Sequence, residues 1–105
     1  MHAVVTRVTV QDGETATEQL RENIVPAVKQ IPGFVAGYWV RLEGGDEGNS
    51  VVVFESEDNA RQAAERAKEM VEQNDGVTLQ SITVGEVVAN ARETLRPGSG
   101  NRVAA

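Results

Sequence analysis

A chain of 105 residues with a formal net charge of −6 and no cysteine fits one domain and excludes disulfide, thiolate and zinc-thiolate chemistry. Its acidity argues against nucleic-acid phosphate or an anionic membrane surface as partner. The aromatic residues are Phe34, Tyr38, Trp39 and Phe54, so the core must be mainly aliphatic and modest in size.

The start, MHAVVTRVTV, lacks a charged segment followed by an apolar one, so no leader is expected. No apolar run approaches the roughly 20 residues of a membrane span. The expectation is a cytoplasmic protein. Val4, Thr6, Val8 and Val10 alternate with Val5, Arg7 and Thr9, giving a β-branched strand. Gln11-Asp12-Gly13 ends it, and Thr15 or Thr17 can cap the next segment. Leu20, Ile24, Ala27, Val28 and Ile31 then recur at helical spacing. Pro26 lies off that face and removes a bond to the Glu22 carbonyl, predicting a bend. Pro32-Gly33 stops the helix.

A second strand places Phe34, Ala36, Tyr38, Val40 and Leu42 on one face. Val35, Gly37, Trp39, Arg41 and Glu43 fall on the other. The acidic, glycine-rich segment 44–49 is a hairpin loop without the oxygen spacing of a calcium loop. Val51 to Phe54 is continuously apolar, as suits a central strand. Ser56 or Asp58 caps a second helix, with Ala60, Ala63, Ala64, Ala67, Met70 and Val71 along one face. Its exposed side pairs Glu57 with Arg61, Arg61 with Glu65, and Lys68 with Glu72. Asn74-Asp75-Gly76 ends it, and a last strand runs from about Val77 to Val88 with a bulge placed at Gly85. Residues 1–91 form a single domain. Residues 92–105, with Pro97-Gly98-Ser99-Gly100, read as a flexible tail or an arm ordered by a partner.

The order βαββαβ with right-handed crossovers gives an α+β, ferredoxin-like fold: a four-stranded antiparallel sheet with two helices on one face. The other face is apolar through Val35 and Trp39, Val51 and Val53 or their neighbours, and Val5 or Val4, Val8 and Val10. A second copy of the chain is the simplest cover, which predicts a homodimer through the sheets.

Ile31-Pro32-Gly33-Phe34 after the first helix, and Val53-Phe54-Glu55-Ser56-Glu57 before the second, resemble the dimeric α/β-barrel superfamily over residues 3–90. Within it the similarity is to the antibiotic-biosynthesis-monooxygenase-like (ABM) domain. The resemblance implies a barrel shared by two subunits, with pockets between each sheet and its helices or in the barrel. It also implies a range of activities: cofactor-free oxygenation of polycyclic aromatics, haem degradation, isomerisation, or none known. The haem-degrading branch uses an Asn that falls at Thr6, and a Trp and a haem-ligating His that fall near Ala63 and Gln73. The sole histidine is His2, so haem degradation is disfavoured, and neither cofactor nor metal is expected. The oxygenases hold a phenolic substrate with Asn, Trp, Tyr and Arg. Here Tyr38, Trp39 and Arg41 share one strand, and alternation separates Tyr38 from the other two.

The candidate ligand-binding residues are therefore Trp39, Arg41, Arg7 and Tyr38, with no catalytic residue assigned. Trp39 and Arg41 share a face and can stack on and hold a flat anion. Against this stands a structural reading, in which Trp39 packs across the dimer and Arg41 pairs with Glu43 or Glu55. Arg7 is a second anion contact or a rim ion pair. Tyr38 defaults to core packing beside Phe34 and Val40. The alanine face of the second helix reads as close packing that leaves no cavity, in preference to a wall of a ligand site. The functional expectation is a small dimeric α/β-barrel protein that binds an apolar or aromatic metabolite. The alternative is a cofactor-independent monooxygenase acting on an aromatic substrate.

Overall fold

The computed structural model describes residues 1–73 and 76–91. The predicted helix stop at Asn74-Asp75 and the tail over 92–105 lie outside the described residues. Strand β1 (His2–Val10) leads into a helical segment of three parts: α1 (Gly13–Gln19), a π-helical turn (Leu20–Ile24) and α2 (Val25–Lys29). Strands β2 (Phe34–Arg41) and β3 (Glu47–Phe54) form a hairpin, followed by α3 (Glu57–Glu72) and β4 (Val77–Glu86). The sheet order is β2-β3-β1-β4, antiparallel throughout. This is the expected ferredoxin-like arrangement, with β3 central between β2 and β1.

Asp12, rather than Thr15 or Thr17, caps the first helix. Its carboxylate accepts the Thr15 backbone N–H at 3.2 Å and the Thr15 hydroxyl at 2.9 Å. Those bonds, the backbone one first, hold the carboxyl below the ordinary aspartate range. Pro26 has no N–H to offer Glu22. The chain resolves this as a π turn rather than a smooth bend, with the Val25 N–H reaching back to the Leu20 carbonyl. The segment ends at Gly33, whose φ of 83° suits a residue without Cβ.

That end is clamped to the start of α3. Asn59 donates its Nδ2 to the Pro32 carbonyl at 2.8 Å, and the Glu55 N–H donates to the Gly33 carbonyl at 2.8 Å. The Ser56 Oγ accepts the Asn59 N–H at 3.1 Å, which makes Ser56 the cap of α3. Behind the clamp, Phe34 meets Phe54 edge to face with centroids 6.1 Å apart. The buried core comprises Val4, Val28, Ile31, Val52, Phe54, Ala60 and Ala63.

Two irregularities depart from simple alternation. On β2 the register shifts between Phe34 and Ala36, so Val35 is an extra residue. On β4 the shift lies at Gln80, opposite the Arg7–Val8 step, while Gly85 pairs in register with Ala3. The bulge predicted at Gly85 is therefore displaced to Gln80. Strand β3 also begins earlier than the sequence suggests, with Glu47 and Gly48 paired to Thr9 and Val8. The hairpin turn is confined to the residues before them, where Gly44 and Gly45 take φ of 94° and 80°. On α3 the Glu57–Arg61 pair forms at 2.6 Å. Among the described residues no helix is long and apolar enough to cross a membrane.

The Asp12 cap makes a pH-dependent contribution. Its folded carboxyl is held low, so the stabilisation is present above the ordinary aspartate range and is lost as pH falls through the folded value. Asparagine caps without titrating. The stability advantage of the wild type over Asp12→Asn should therefore narrow between about pH 6 and about pH 3 in urea midpoints. A constant gap would show that the charge contributes nothing.

Candidate functional site

The two helical layers sit on the sheet differently. Helix α3 packs closely on β4, β1 and β3, whereas the first helical segment makes no comparably close backbone approach to the sheet. Between that segment and the sheet lies a cavity of about 440 Å3. Its floor is the helix-facing side of the sheet: Val4, Thr6, Val8 and Val10 on β1, Ser50, Val52 and Phe54 on β3, and Trp39 and Arg41 on β2. The π turn forms the roof with Leu20, Arg21 and Ile24, and α3 closes the side with Ala63, Ala67, Met70 and Val71.

The Val35 bulge decides which β2 side chains reach this space. Simple alternation puts Phe34 on the face of Tyr38 and leaves Trp39 and Arg41 on the other. The extra residue reverses the parity, so Phe34 and Trp39 share the helix-facing side. Trp39, like Phe34 and Ile24, is partly buried and packs against the core. Tyr38, expected in the core, is 64% exposed on the outer face. The facing assigned to Tyr38 and to the Trp39/Arg41 pair is thus corrected. Arg7 also faces outward and forms an exposed ion pair with Glu47 at 3.5 Å. Of the candidate residues, the structure brings together Trp39 and Arg41 and leaves Arg7 and Tyr38 on the opposite face.

Trp39 lies flat along its own strand. A Cβ on Gly37 would come within 2.7 Å of its Cη2 and 2.9 Å of its Cζ3. Arg41 folds over the start of α1, where a Cβ on Gly13 would fall 2.1 Å from its Nη1. Neither Glu43 nor Glu55 holds it. The ion pairs of the described residues are Arg7–Glu47 and Arg61–Glu57, so Arg41 and Arg21 reach the rim unengaged by carboxylates. Two free guanidinium groups at the mouth of an apolar cavity favour an anionic group there.

Inside, the polar groups are few. The Thr6 and Ser50 hydroxyls hydrogen-bond to each other across the β1–β3 ladder, where the two residues are register partners. Ser50 is also the partner of Trp39 in the β2–β3 pairing. Trp39, Ser50 and Thr6 thus form one row across the floor. Among the described residues no carboxylate and no imidazole lines the cavity.

Sequence reasoning missed the hydroxyl pair and Arg21, and it ranked close packing of the α3 alanines above the pocket between sheet and helices that the resemblance implied. Thr6 between Val4 and Val8, and Ser50 in step with Val52 and Phe54, were legible as polar residues at inward positions. The alanine face carried both meanings. Ala60 and Ala63 are buried at 0% and 3% exposure where α3 is closest, while Ala63 and Ala67 wall the cavity. The expectation of close packing without a cavity holds for the first turns of α3 only.

A second cleft, lined by Thr15, Gln19, Asn23, Ile24, Met70, Gln73 and Gly76, shares Ile24 and Met70 with the cavity. Among the described residues no group of three or more His, Asp or Glu is placed to hold a metal ion.

The fold is shared with several solved structures. HapK from Hahella chejuensis matches with a TM-score of 0.66 at 10% identity, covering 90% of this chain and 99% of that one. SnoaB, a cofactor-independent oxygenase from Streptomyces nogalater, matches with a TM-score of 0.62 at 19% identity, covering 90% and 95%. MhuD from Mycobacterium tuberculosis, a heme-degrader solved with two hemes in its active site, matches with a TM-score of 0.53 at 23% identity, covering 85% and 99%. At these identities the likeness is one of fold. No family model matches the sequence, and no curated protein matches it significantly.

The Trp39–Gly37 contact gives a direct test of the site's geometry. Gly37→Ala should force the indole off the strand, shifting its emission and lowering stability by about 1–3 kcal/mol in urea denaturation. Unchanged emission and stability would mean that the ring does not rest there.

Proposed function

We propose that this chain binds a planar, largely apolar metabolite with an acidic edge in the cavity between the sheet and the first helical segment. The observation that carries this is the cavity itself: about 440 Å3, walled mainly by aliphatic side chains. That volume is in the range of small-molecule sites, which pair apolar walls with a few placed polar groups. Trp39 offers a flat surface for stacking, and Arg41 and Arg21 offer charge at the mouth. Trp39 is the only tryptophan, so its fluorescence reports on the site alone.

Anthraquinone-2-sulfonate is a suitable probe. It should quench Trp39 saturably at micromolar concentration. Ala67→Phe, which fills the cavity from α3, should weaken binding at least about tenfold while the fold persists in circular dichroism. Equal affinity in the two proteins would place the ligand elsewhere.

Oxygenation is the second reading, favoured by the fold shared with SnoaB, a cofactor-independent oxygenase. The reaction in view is anthrone plus O2 giving anthraquinone plus water. The lack of a carboxylate or imidazole among the described lining residues ranks it second, because the substrate must then arrive already ionised, held as its anion by the arginines. Oxygen uptake with anthrone above the buffer rate supports it; uptake equal to buffer leaves binding as the function.

The outer sheet face is the second element of this reading. Val5, Val35, Tyr38, Val40 and Val51 are exposed there at 39–64%. A contiguous apolar surface of this kind marks an interface. The occupant proposed is a second copy, related by a two-fold axis. The Arg7–Glu47 ion pair on this face is internally neutral, so two copies meet without adding like charge. Sedimentation should give a dimer at micromolar concentration and a monomer for Val51→Lys. A wild type that sediments as a strict monomer rejects this interface.

A further inference from the structure

The Thr6–Ser50 pair is a polar feature in a space otherwise walled by aliphatic and aromatic groups. It is not at the rim: Ser50 is 7% exposed and sits on the central strand of the sheet. Nor is it needed to join the strands, since the β1–β3 ladder runs through this position with its own backbone pairing. Two valines would fill the same register positions and pack with Val4, Val8 and Val52.

The proton count of the pair is informative. Each hydroxyl owns one proton and can accept twice. The bond between Thr6 Oγ1 and Ser50 Oγ uses one proton. The second is left over, and neither hydroxyl has another partner among the described residues. Ser50 is buried and Thr6 half-buried, and polar groups withdrawn from bulk water in folded proteins are nearly always satisfied. The backbone acceptors beside it belong to the ladder, and the described cavity walls around it offer no carboxylate. The acceptor comes from whatever occupies the open cavity: water in the free protein, and an oxygen of the ligand in the complex.

We infer that the Thr6–Ser50 hydroxyl pair is a hydrogen-bond donor site that selects ligands carrying a carbonyl or phenolate oxygen on the buried part of an aromatic ring system. This rests on the cavity being a binding site. It adds which chemical group the deep end reads. Because Trp39, Ser50 and Thr6 lie in one row across β2, β3 and β1, a ring stacked on Trp39 presents its edge to the hydroxyls. Arg41, two residues along β2 from Trp39, stands about 7 Å away along the strand. An acid at the mouth and a carbonyl at depth therefore fit one ligand.

The test compares two probes that share the sulfonate and the three-ring frame and differ in the two carbonyls of the central ring. Anthraquinone-2-sulfonate carries ring carbonyls, and anthracene-2-sulfonate does not. The shared sulfonate cancels the effect of the arginines. By calorimetry the wild type should bind the quinone about fivefold more tightly, the effect of one neutral hydrogen bond. Thr6→Val combined with Ser50→Ala removes both partners of the bond and leaves no orphan, so the fold should survive. That variant should bind anthracene-2-sulfonate at least as well as the wild type does, and should lose the preference for the quinone.

A wild type that binds both probes equally overturns the assignment, whatever the variant does. A double variant that keeps the preference overturns it as well. If neither probe binds the wild type, the cavity reading fails and the assignment falls with it; if the anthracene binds and the preference is absent, the cavity reading stands alone.

Discussion

Which way Trp39 points is decided at Val35. Phe34 is held inward by the clamp between the two helical layers, where Asn59 binds the Pro32 carbonyl and the Glu55 N–H binds the Gly33 carbonyl. Its ring then meets Phe54 edge to face. With Phe34 fixed, strict alternation sends Tyr38 inward. One extra residue at the bulge sends Trp39 and Arg41 inward instead, and Tyr38 and Val40 out. The cavity's aromatic wall, Arg41 at its mouth and the β2 share of the apolar outer face all result from that change of parity. A bulge that re-aims side chains next to a site is a known use of this irregularity.

The cavity is kept open by what is small and by what is lifted. Ala63 and Ala67 leave space on the α3 side, and Thr6 and Ser50 leave space on the floor. The π turn before Pro26 carries Leu20, Arg21 and Ile24 over the gap without bringing the helix onto the sheet. On the scale of about 24 cal/mol per Å3, a sealed and empty space of 440 Å3 would cost about 10 kcal/mol. That equals the whole stability of an ordinary domain. The space is not sealed: its mouth, where Arg41 and Arg21 stand exposed, admits solvent, so that cost does not arise.

The elements were legible in the sequence because their signals are local. Pro32-Gly33, the Ser56 cap, the valine alternation of β1 and the helical spacing of Leu20, Ile24 and Val28 each have one physical meaning. The site was less legible because its signals are two-sided. Val35 is apolar and suits either face, so nothing nearby announces the bulge. Alanines on α3 fit close packing and cavity walls equally well, and the choice between them is set by how far the first helical segment stands off the sheet. That distance depends on a π turn in which Pro26 removes one donor and Val25 finds a carbonyl five residues back. Asp12 lies in the predicted turn, where its side chain reads equally well as a strand stop and as a cap for the helix that starts one residue later.

Alternation on β2 also separates the two surfaces by construction. Trp39 and Arg41 face the cavity and Tyr38 faces away, while Val40, exposed on β2, also borders the cavity. The backbones of β2 and β3 are what the two sites share, with Ser50 and Val51 as adjacent residues pointing to opposite sides. Val35 is the residue that sets the parity of β2, and with it which side chains each face receives.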